Sequence, residues 1–232
     1  MLTLEEFFQM VKSGAIEQVK SALDDDPDLA QARATDSVSG VLLAAYYQQP
    51  GIARLLIKYG APVDLFEACA VGLTQHATEI LDQQPDLVNA FAPDGFQPLG
   101  LACFFGHLEV VELLLARGAQ VAQASHNPMQ VMPLHSAVAG RNIEIIHRLL
   151  AYRAPVNARQ ADGFTPLHGA AQNGDVEVIR ILLEAGADPQ ASDADSKTAL
   201  AFAIQEDHTE AIELLRSALS DPRYPANPAP EK

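Results

Sequence analysis

Two histidines are the side chains of this sequence best suited to acid–base chemistry. His135 and His168 each follow a Pro-Leu pair, in two segments of similar sequence, and an imidazole is the commonest general base in enzymes. Neither has a nucleophile motif beside it. The sequence also shows no G-x-S-x-G motif, no phosphate-binding loop, no zinc-ligand spacing and no paired carboxylates in a motif. We therefore predict no catalytic residue, no metal site and no cofactor.

The two cysteines, Cys69 and Cys103, could in principle form a redox pair. Each stands three positions before a glycine, Gly72 or Gly106, so we expect them at equivalent places on neighbouring helices. Packed helices lie about 8–10 Å apart, whereas a disulfide needs Cα atoms within about 7 Å. Two small buried thiols are therefore predicted, and the absence of a disulfide framework favours a reducing compartment.

The net charge of −15, from 30 acidic and 15 basic residues, restricts the partners of the chain. Nucleic acid and anionic membrane surfaces both require a basic face, so we expect neither. No apolar stretch reaches the roughly 18 residues of a membrane span, and the N-terminus lacks the basic start and apolar run of a signal peptide. These features predict a cytoplasmic protein, and the charge favours a basic partner.

The elements that position these side chains come from an internal repeat. Equivalent segments open at Pro98, Pro133, Pro166 and Ala199, and in the first half LDDDPDL at Leu23–Leu29 recurs two units later as LDQQPDL at Leu81–Leu87. The two periods, about 33 residues in the second half and about 29 residues in the first, are both typical of stacked repeat proteins. We predict seven units starting near residues 1, 36, 64, 94, 127, 160 and 193, in one domain over 1–219. The tail 220–232 has four prolines and is predicted to be disordered.

The unit that begins at Asp162 shows what each repeat contains. A turn leads to Pro166, which suits the first position of a helix, and Gly174 ends that short helix before a second, apolar-striped one. Two such helices cannot form a core alone, so the units must stack. An all-α stack follows, with second-helix leucines buried between units. These leucines are Leu114, Leu149 and Leu182.

The sequence TPLHGA at Thr165–Ala170 and MPLHSA at Met132–Ala137 resembles the signature of the ankyrin repeat, with weaker matches at Gln97–Ala102 and Thr198–Ala203. The resemblance implies an α-solenoid of about seven ankyrin repeats, in which helix-turn-helix units are joined by β-hairpin-type loops. Repeats in the N-terminal half are short, as in stand-alone bacterial ankyrin proteins. The resemblance also implies that His135 and His168 tie their turns to neighbouring backbone.

Ankyrin arrays as a family bind proteins, through a concave groove formed by the first helices and through the hairpin tips. The resemblance therefore implies a non-enzymatic scaffold that binds a protein or peptide. We expect a monomer. The alternatives are a homo-oligomer, with a homodimer as the simplest form, or a small-molecule or enzymatic site in the groove.

Two aromatic pairs are the strongest candidates for the partner site. Tyr46-Tyr47 and Phe104-Phe105 stand two repeats apart. The resemblance to ankyrin repeats implies that each pair occupies the two positions that face the groove. Clustered exposed aromatic side chains usually mark an interaction surface. The alternative is that one ring of each pair packs under the neighbouring unit.

Apolar residues near the predicted hairpin tips form a second candidate surface. They are Phe96, Met129, Val131 and Phe164. These side chains either contact the partner or seal the stack between neighbouring hairpins.

Overall fold

The computed structural model describes residues 2–34, 37–221 and 223. Helices account for 60% of the structure, and the described part contains fourteen α-helices but no regular sheet. The helices are α1 (Leu4–Ser13), α2 (Ile16–Asp25), α3 (Gly40–Tyr46), α4 (Pro50–Lys58), α5 (Leu65–Val71), α6 (Thr74–Gln83), α7 (Pro98–Phe105), α8 (Leu108–Ala116), α9 (Pro133–Ala139), α10 (Ile143–Ala151), α11 (Pro166–Gln172), α12 (Val176–Glu184), α13 (Ala199–Gln205) and α14 (Thr209–Ser220). The predicted all-α class is confirmed.

The helices follow one another in pairs, one pair to a repeat. The repeats in turn belong to two larger compact units, and from here on "unit" means one of these two halves of the chain. The N-terminal unit, Met1–Ala119, holds α1 to α8, and the C-terminal unit, Gln120–Lys232, holds α9 to α14. Within each unit the first helices of successive pairs pack on one another, as α3, α5 and α7 do, and as α9, α11 and α13 do. Stacking within each unit supplies the core that a single pair lacks.

The leucines predicted to lie between repeats are fully buried. Leu114, Leu149 and Leu182 each have 0% of their surface exposed. Burial of a leucine side chain contributes roughly 1.5–3 kcal/mol, so these positions stabilise the stack strongly. No helix of the described part is long and apolar enough to cross a lipid bilayer.

The repeated PDL segments of the N-terminal unit form short 3₁₀-helices, at Pro27–Gln31 and Pro85–Asn89. The shortening in this half is uneven. Helix α3 begins at Gly40, α5 at Leu65 and α7 at Pro98, so the step from α3 to α5 is much shorter than the step from α5 to α7. The short period predicted for this half is therefore an average, and the short step includes the brief connector 59–64 between α4 and α5.

The C-terminal unit joins its repeats by hairpins that histidines hold in place. Nε2 of His168 donates to the Lys197 carbonyl at 3.1 Å, and its Nδ1 accepts from the backbone N–H of Thr165 at 3.0 Å. His135 makes the equivalent bond to the Phe164 carbonyl at 3.2 Å. Each imidazole thus ties its own turn to the next hairpin, which is the structural role that the family resemblance implied.

Both cysteines are fully buried and unpaired, on the neighbouring helices α5 and α7. Burial raises the pKa of the Cys69 and Cys103 thiols, so neither is a thiolate near neutral pH. Residues 222 and 224–232, which hold most of the predicted Pro-rich tail, lie outside the described residues.

Candidate aromatic interaction surface

Four rings gather at the ends of α3 and α7 in the N-terminal unit, and we name Tyr46, Tyr47, Phe104 and Phe105 the aromatic cluster. Tyr47 is 48% exposed and Phe104 is 41% exposed, whereas Tyr46 and Phe105 are more buried. Each predicted pair therefore presents one ring at the surface and packs the other.

The more buried rings join the two pairs into one surface. The ring centroids of Tyr46 and Phe105 are 5.4 Å apart, and Phe105 meets Phe104 edge-on at 5.1 Å. Helix α5 packs between α3 and α7 and ends in the small residues Ala70 and Val71. The long rings therefore meet across the small end of α5, in a contact geometry worth about 0.5–1.5 kcal/mol per pair.

Asp94, which was not predicted from the sequence, fixes the position of Tyr46 in the cluster. The Tyr46 hydroxyl donates to Asp94 Oδ2 at 2.6 Å, and burial together with this bond raises the pKa of Tyr46. Asp94 Oδ1 also accepts from the backbone N–H of Phe96 at 3.2 Å. The half-buried tip residue Phe96 therefore belongs to the same turn that holds Tyr46. The only signal in the sequence was an Asp-Gly turn dipeptide.

A lysine from the first repeat borders the cluster. Lys12 Nζ lies 5.6 Å from the centroid of the Tyr47 ring, within the range of a cation–π contact. Lys12 comes just before the end of α1, as Tyr47 follows the end of α3. The surface is thus aromatic with a cation at one edge.

A groove of about 480 Å³ opens beside Phe105, and we name it the Phe105 groove. Its apolar wall includes Ala45, Ile57, Val71 and Phe105, and its polar rim includes Arg54. The Arg54 side chain is exposed and makes no hydrogen bond or ion pair within the described part of the chain. Phe105 is therefore shared between the aromatic cluster and a concave, mostly apolar site.

The other predicted tip residues lie in the C-terminal unit. Met129 is 54% exposed, whereas Val131 and Phe164 are half-buried. The Phe164 ring packs against His168 and Phe202, with both centroids 5.3 Å away. Phe164 therefore contributes to sealing the stack, and Met129 is the tip side chain that faces solvent.

An acidic cleft of about 520 Å³ adjoins these tips. It is lined by Phe164 and Phe202 and by three aspartates, Asp162, Asp193 and Asp195. Asp193 Oδ1 already accepts from two backbone N–H groups of its own turn. The cleft is negative and partly aromatic, in contrast to the groove of the N-terminal unit.

Sequence comparison agrees with this geometry. The family model described as "Ankyrin repeats (3 copies)" matches residues 7–125, 65–160 and 134–224, and so spans most of the chain. The chain belongs to the ankyrin repeat family. Ankyrin repeats generally act as protein–protein interaction modules, and the helix pairs seen here are its repeats.

Similar ankyrin repeat proteins are known in mammals. The chain is 34% identical over 102 residues to mouse "Ankyrin repeat and SAM domain-containing protein 6", covering 44% of this chain and 11% of that protein. It is 32% identical over 111 residues to mouse "Ankyrin repeat and SOCS box protein 11", covering 48% and 32%. Human "Ankyrin repeat domain-containing protein 13B" is 41% identical over 61 residues, covering 26% and 9%. The chain spans a third or less of these relatives, so the likeness concerns the ankyrin repeats.

Proposed function

We propose that this ankyrin repeat chain is a non-enzymatic scaffold that binds a protein or peptide partner through the aromatic cluster. The observation that carries the proposal is the exposure of Tyr47, which follows Tyr46, and of Phe104, which ends a packed chain of three rings, Tyr46, Phe105 and Phe104. Tyrosine and other aromatic side chains are enriched at the centres of protein interfaces, where a few residues supply most of the binding energy.

The order of the cluster supports the same proposal. Tyr46 is tied to Asp94, and Phe105 is held between two other rings. Side chains that are already fixed lose little conformational entropy when a partner binds, so more of the contact energy appears as affinity. A partner that covers Phe104 therefore meets a ring that packs edge-on against the fixed Phe105.

The net charge of −15 supports a basic partner at long range, because opposite charge speeds encounter. The acidic cleft beside Phe164 offers one place where basic side chains of a partner could be held. We therefore propose Met129, Val131 and Phe164 as a secondary contact surface, as well as Phe96 beside the cluster. We also propose a cytoplasmic location, with which the two unpaired, buried thiols are compatible.

The test uses the double variant Tyr47→Ser/Phe104→Ser, with Tyr152→Ser as the matched control. Tyr152 is a similarly exposed tyrosine, at 49%, in the other unit. Proteins captured from an extract of the native host are compared by quantitative mass spectrometry, and the affinity of a purified partner is then measured. We expect the double variant to keep its circular dichroism spectrum. Its binding to the partner should weaken by at least ~2 kcal/mol, about 30-fold in Kd.

Two results would contradict the proposal. A double variant that retains the partner at wild-type affinity shows that the cluster is not the site, and the tips then become the stronger candidates. Light scattering separates the competing homo-oligomer. A dimer that dissociates only in the double variant would assign the cluster to self-association.

A further inference from the structure

The Phe105 groove differs in charge from the unit that contains it. The N-terminal unit has sixteen acidic and six basic residues in its sequence. Among the described residues that line the groove, however, none is acidic, and Arg54 is the charged side chain. A cation stands at the rim of an apolar site in an otherwise strongly negative unit.

The other polar side chains that line the groove do not supply a negative charge; the carboxylate of Glu109, on this side of the unit, accepts from Thr74 outside the lining. His107 lines it, but its Nε2 donates to the Ala70 carbonyl at 3.1 Å. Burial lowers the pKa of His107, so it is neutral near pH 7. Lys12 adds a second cation beside Tyr47, and the nearby carboxylate of Asp94 is already used by Tyr46 and Phe96. The electrostatic complement of this region is therefore an anionic group.

Building on the proposed function, we propose that the partner segment anchors a large apolar side chain in the Phe105 groove and pairs a neighbouring Asp or Glu with Arg54. The groove volume falls in the range of about 300–1,000 Å³ that is typical of ligand pockets. An exposed guanidinium without an internal partner can form a two-pronged contact with a carboxylate. A partner that is basic overall can still carry this acidic residue. The net negative charge of the chain attracts the partner as a whole, whereas Arg54 acts only on the group beside it, since exposed charges more than about 10 Å apart are screened by salt.

Arg180 provides a matched control for the role of Arg54. Arg54 is the fifth residue of α4, and Arg180 is the fifth residue of α12 in the C-terminal unit. Both side chains are exposed, so Arg54→Glu and Arg180→Glu change the charge at equivalent positions of two helices. Only the first change alters the rim of the Phe105 groove.

The experiment selects binders from a displayed library of random dodecapeptides on the full wild-type chain, and then measures Kd for the best synthetic peptides. We expect selected peptides to place Asp or Glu within two positions of a large apolar residue. Arg54→Glu should weaken them at least fivefold, while Arg180→Glu changes Kd less than twofold. Replacing the peptide carboxylate by lysine should restore binding to the Arg54→Glu variant.

The outcomes separate this inference from the proposed function. Peptides that lose binding in Tyr47→Ser/Phe104→Ser but bind Arg54→Glu normally overturn the acidic anchor and leave the aromatic site standing. Selection of basic peptides, or of none, also overturns the anchor. Peptides that are sensitive to Arg54→Glu but not to the aromatic double variant support the anchor and contradict the aromatic cluster as the principal site.

Discussion

The first turns of α5 and α11 occupy equivalent places in the two units, but different side chains hold them. In α5, Glu67 Oε2 accepts from the backbone N–H of Asp64 at 3.0 Å, and Asp64 caps the helix in return. In α11, His168 Nδ1 accepts the corresponding N–H of Thr165, also at 3.0 Å. A buried carboxyl group and a buried imidazole therefore complete the same turn.

Burial moves these two groups in opposite directions. Burial and the neighbouring Asp64 raise the pKa of Glu67 to about 7, whereas burial lowers the pKa of His168 and takes that of His135 to about 4. In both cases burial favours the neutral form. The comparison teaches that one backbone motif can be built from an acid or a base, but the two versions respond oppositely to pH.

The largest expected effect tests whether the units are energetically separate. Leu182→Ala should lower the free energy of unfolding by about 2–5 kcal/mol, because a fully buried leucine leaves a cavity. Hydrogen exchange should show loss of protection concentrated in α9 to α14, since stacked repeats depend mainly on their neighbours. Equal loss of protection in α1 to α8 would show that the units unfold together.

The next largest effect concerns a contact found in both units, in which a histidine ring packs against a glycine of the preceding repeat. A Cβ at Gly72 would lie 2.6 Å from His107 Nδ1, and one at Gly174 would lie 2.6 Å from His208 Cγ. Gly118 has a similar positive φ, but a Cβ there would meet nothing within 4 Å. Gly118→Ala should cost about 1 kcal/mol through backbone strain, and Gly72→Ala should cost a further ~1–3 kcal/mol through the clash.

Urea unfolding of the three alanine variants measures these costs. Gly174→Ala should match Gly72→Ala, because the same imidazole contact recurs in the C-terminal unit. If Gly118→Ala were as harmful as Gly72→Ala, the backbone conformation alone would explain both, and the close approach of the histidine would be unimportant.

The opposite pKa shifts predict opposite pH responses of the Glu67 and His135 turns. His135 is neutral in the folded state, so its contribution is complete above about pH 6.5 and is lost as the pH falls through about 4. Glu67 is favoured when protonated, so its contribution is complete below about pH 4.5 and is lost as the pH rises through about 7. Each effect should be on the order of 3 kcal/mol or less, from the difference between the folded and the ordinary pKa.

Denaturation of Glu67→Gln and of a control, Glu6→Gln, checks the acidic half of this prediction. Glu67→Gln should be more stable than the wild type at pH 8 and no more stable at pH 4.5. Glu6 forms the same capping box in α1, but it is exposed and its hydrogen bonds to Thr3 lower its pKa. Glu6→Gln should therefore show no gain at pH 8, and a gain there would remove burial as the cause.

The smallest effect concerns an incomplete turn in the C-terminal unit. His135 Nδ1 is buried without a hydrogen-bond partner among the described residues, and Met132 offers no hydroxyl where Thr165 places one 2.7 Å from His168 Nδ1. Met132→Thr should raise the free energy of unfolding by about 1 kcal/mol. The reciprocal variant Thr165→Met should lower it, and thermal melts of both variants check the pair. Equal stability of the two variants and the wild type would show that this bond contributes nothing.

The fold could be predicted because its signals are local and repeated. Pro166, Gly174 and the apolar stripe around Leu182 mark the helices of one repeat, and the same pattern recurs along the chain. The short step between α3 and α5 was not predicted, since a period averaged over two repeats conceals which of the two is shortened. The brief connector that follows α4 leaves no sequence motif of its own.

The candidate site was only partly predictable for a different reason. The pattern placed Tyr46, Tyr47, Phe104 and Phe105 on one side of their helices, but it could not show that rings from two repeats meet. That contact depends on the small end of α5 and on the bond from Tyr46 to Asp94, which is distant in sequence. Glu67 was missed because a glutamate in the first turn of a helix is normally exposed, and its burial follows from packing between repeats.

The burial of both cysteines in the N-terminal unit means that the rate of thiol labelling can report how often that unit opens. A thiol reagent can reach Cys69 or Cys103 only when α5 and α7 separate, and the C-terminal unit contains no cysteine to confuse the signal. The rate of labelling without denaturant therefore reports the free energy of local opening. A bound partner that covers the aromatic cluster should slow that rate, so occupancy can be followed through the native cysteines, with no label attached to the partner.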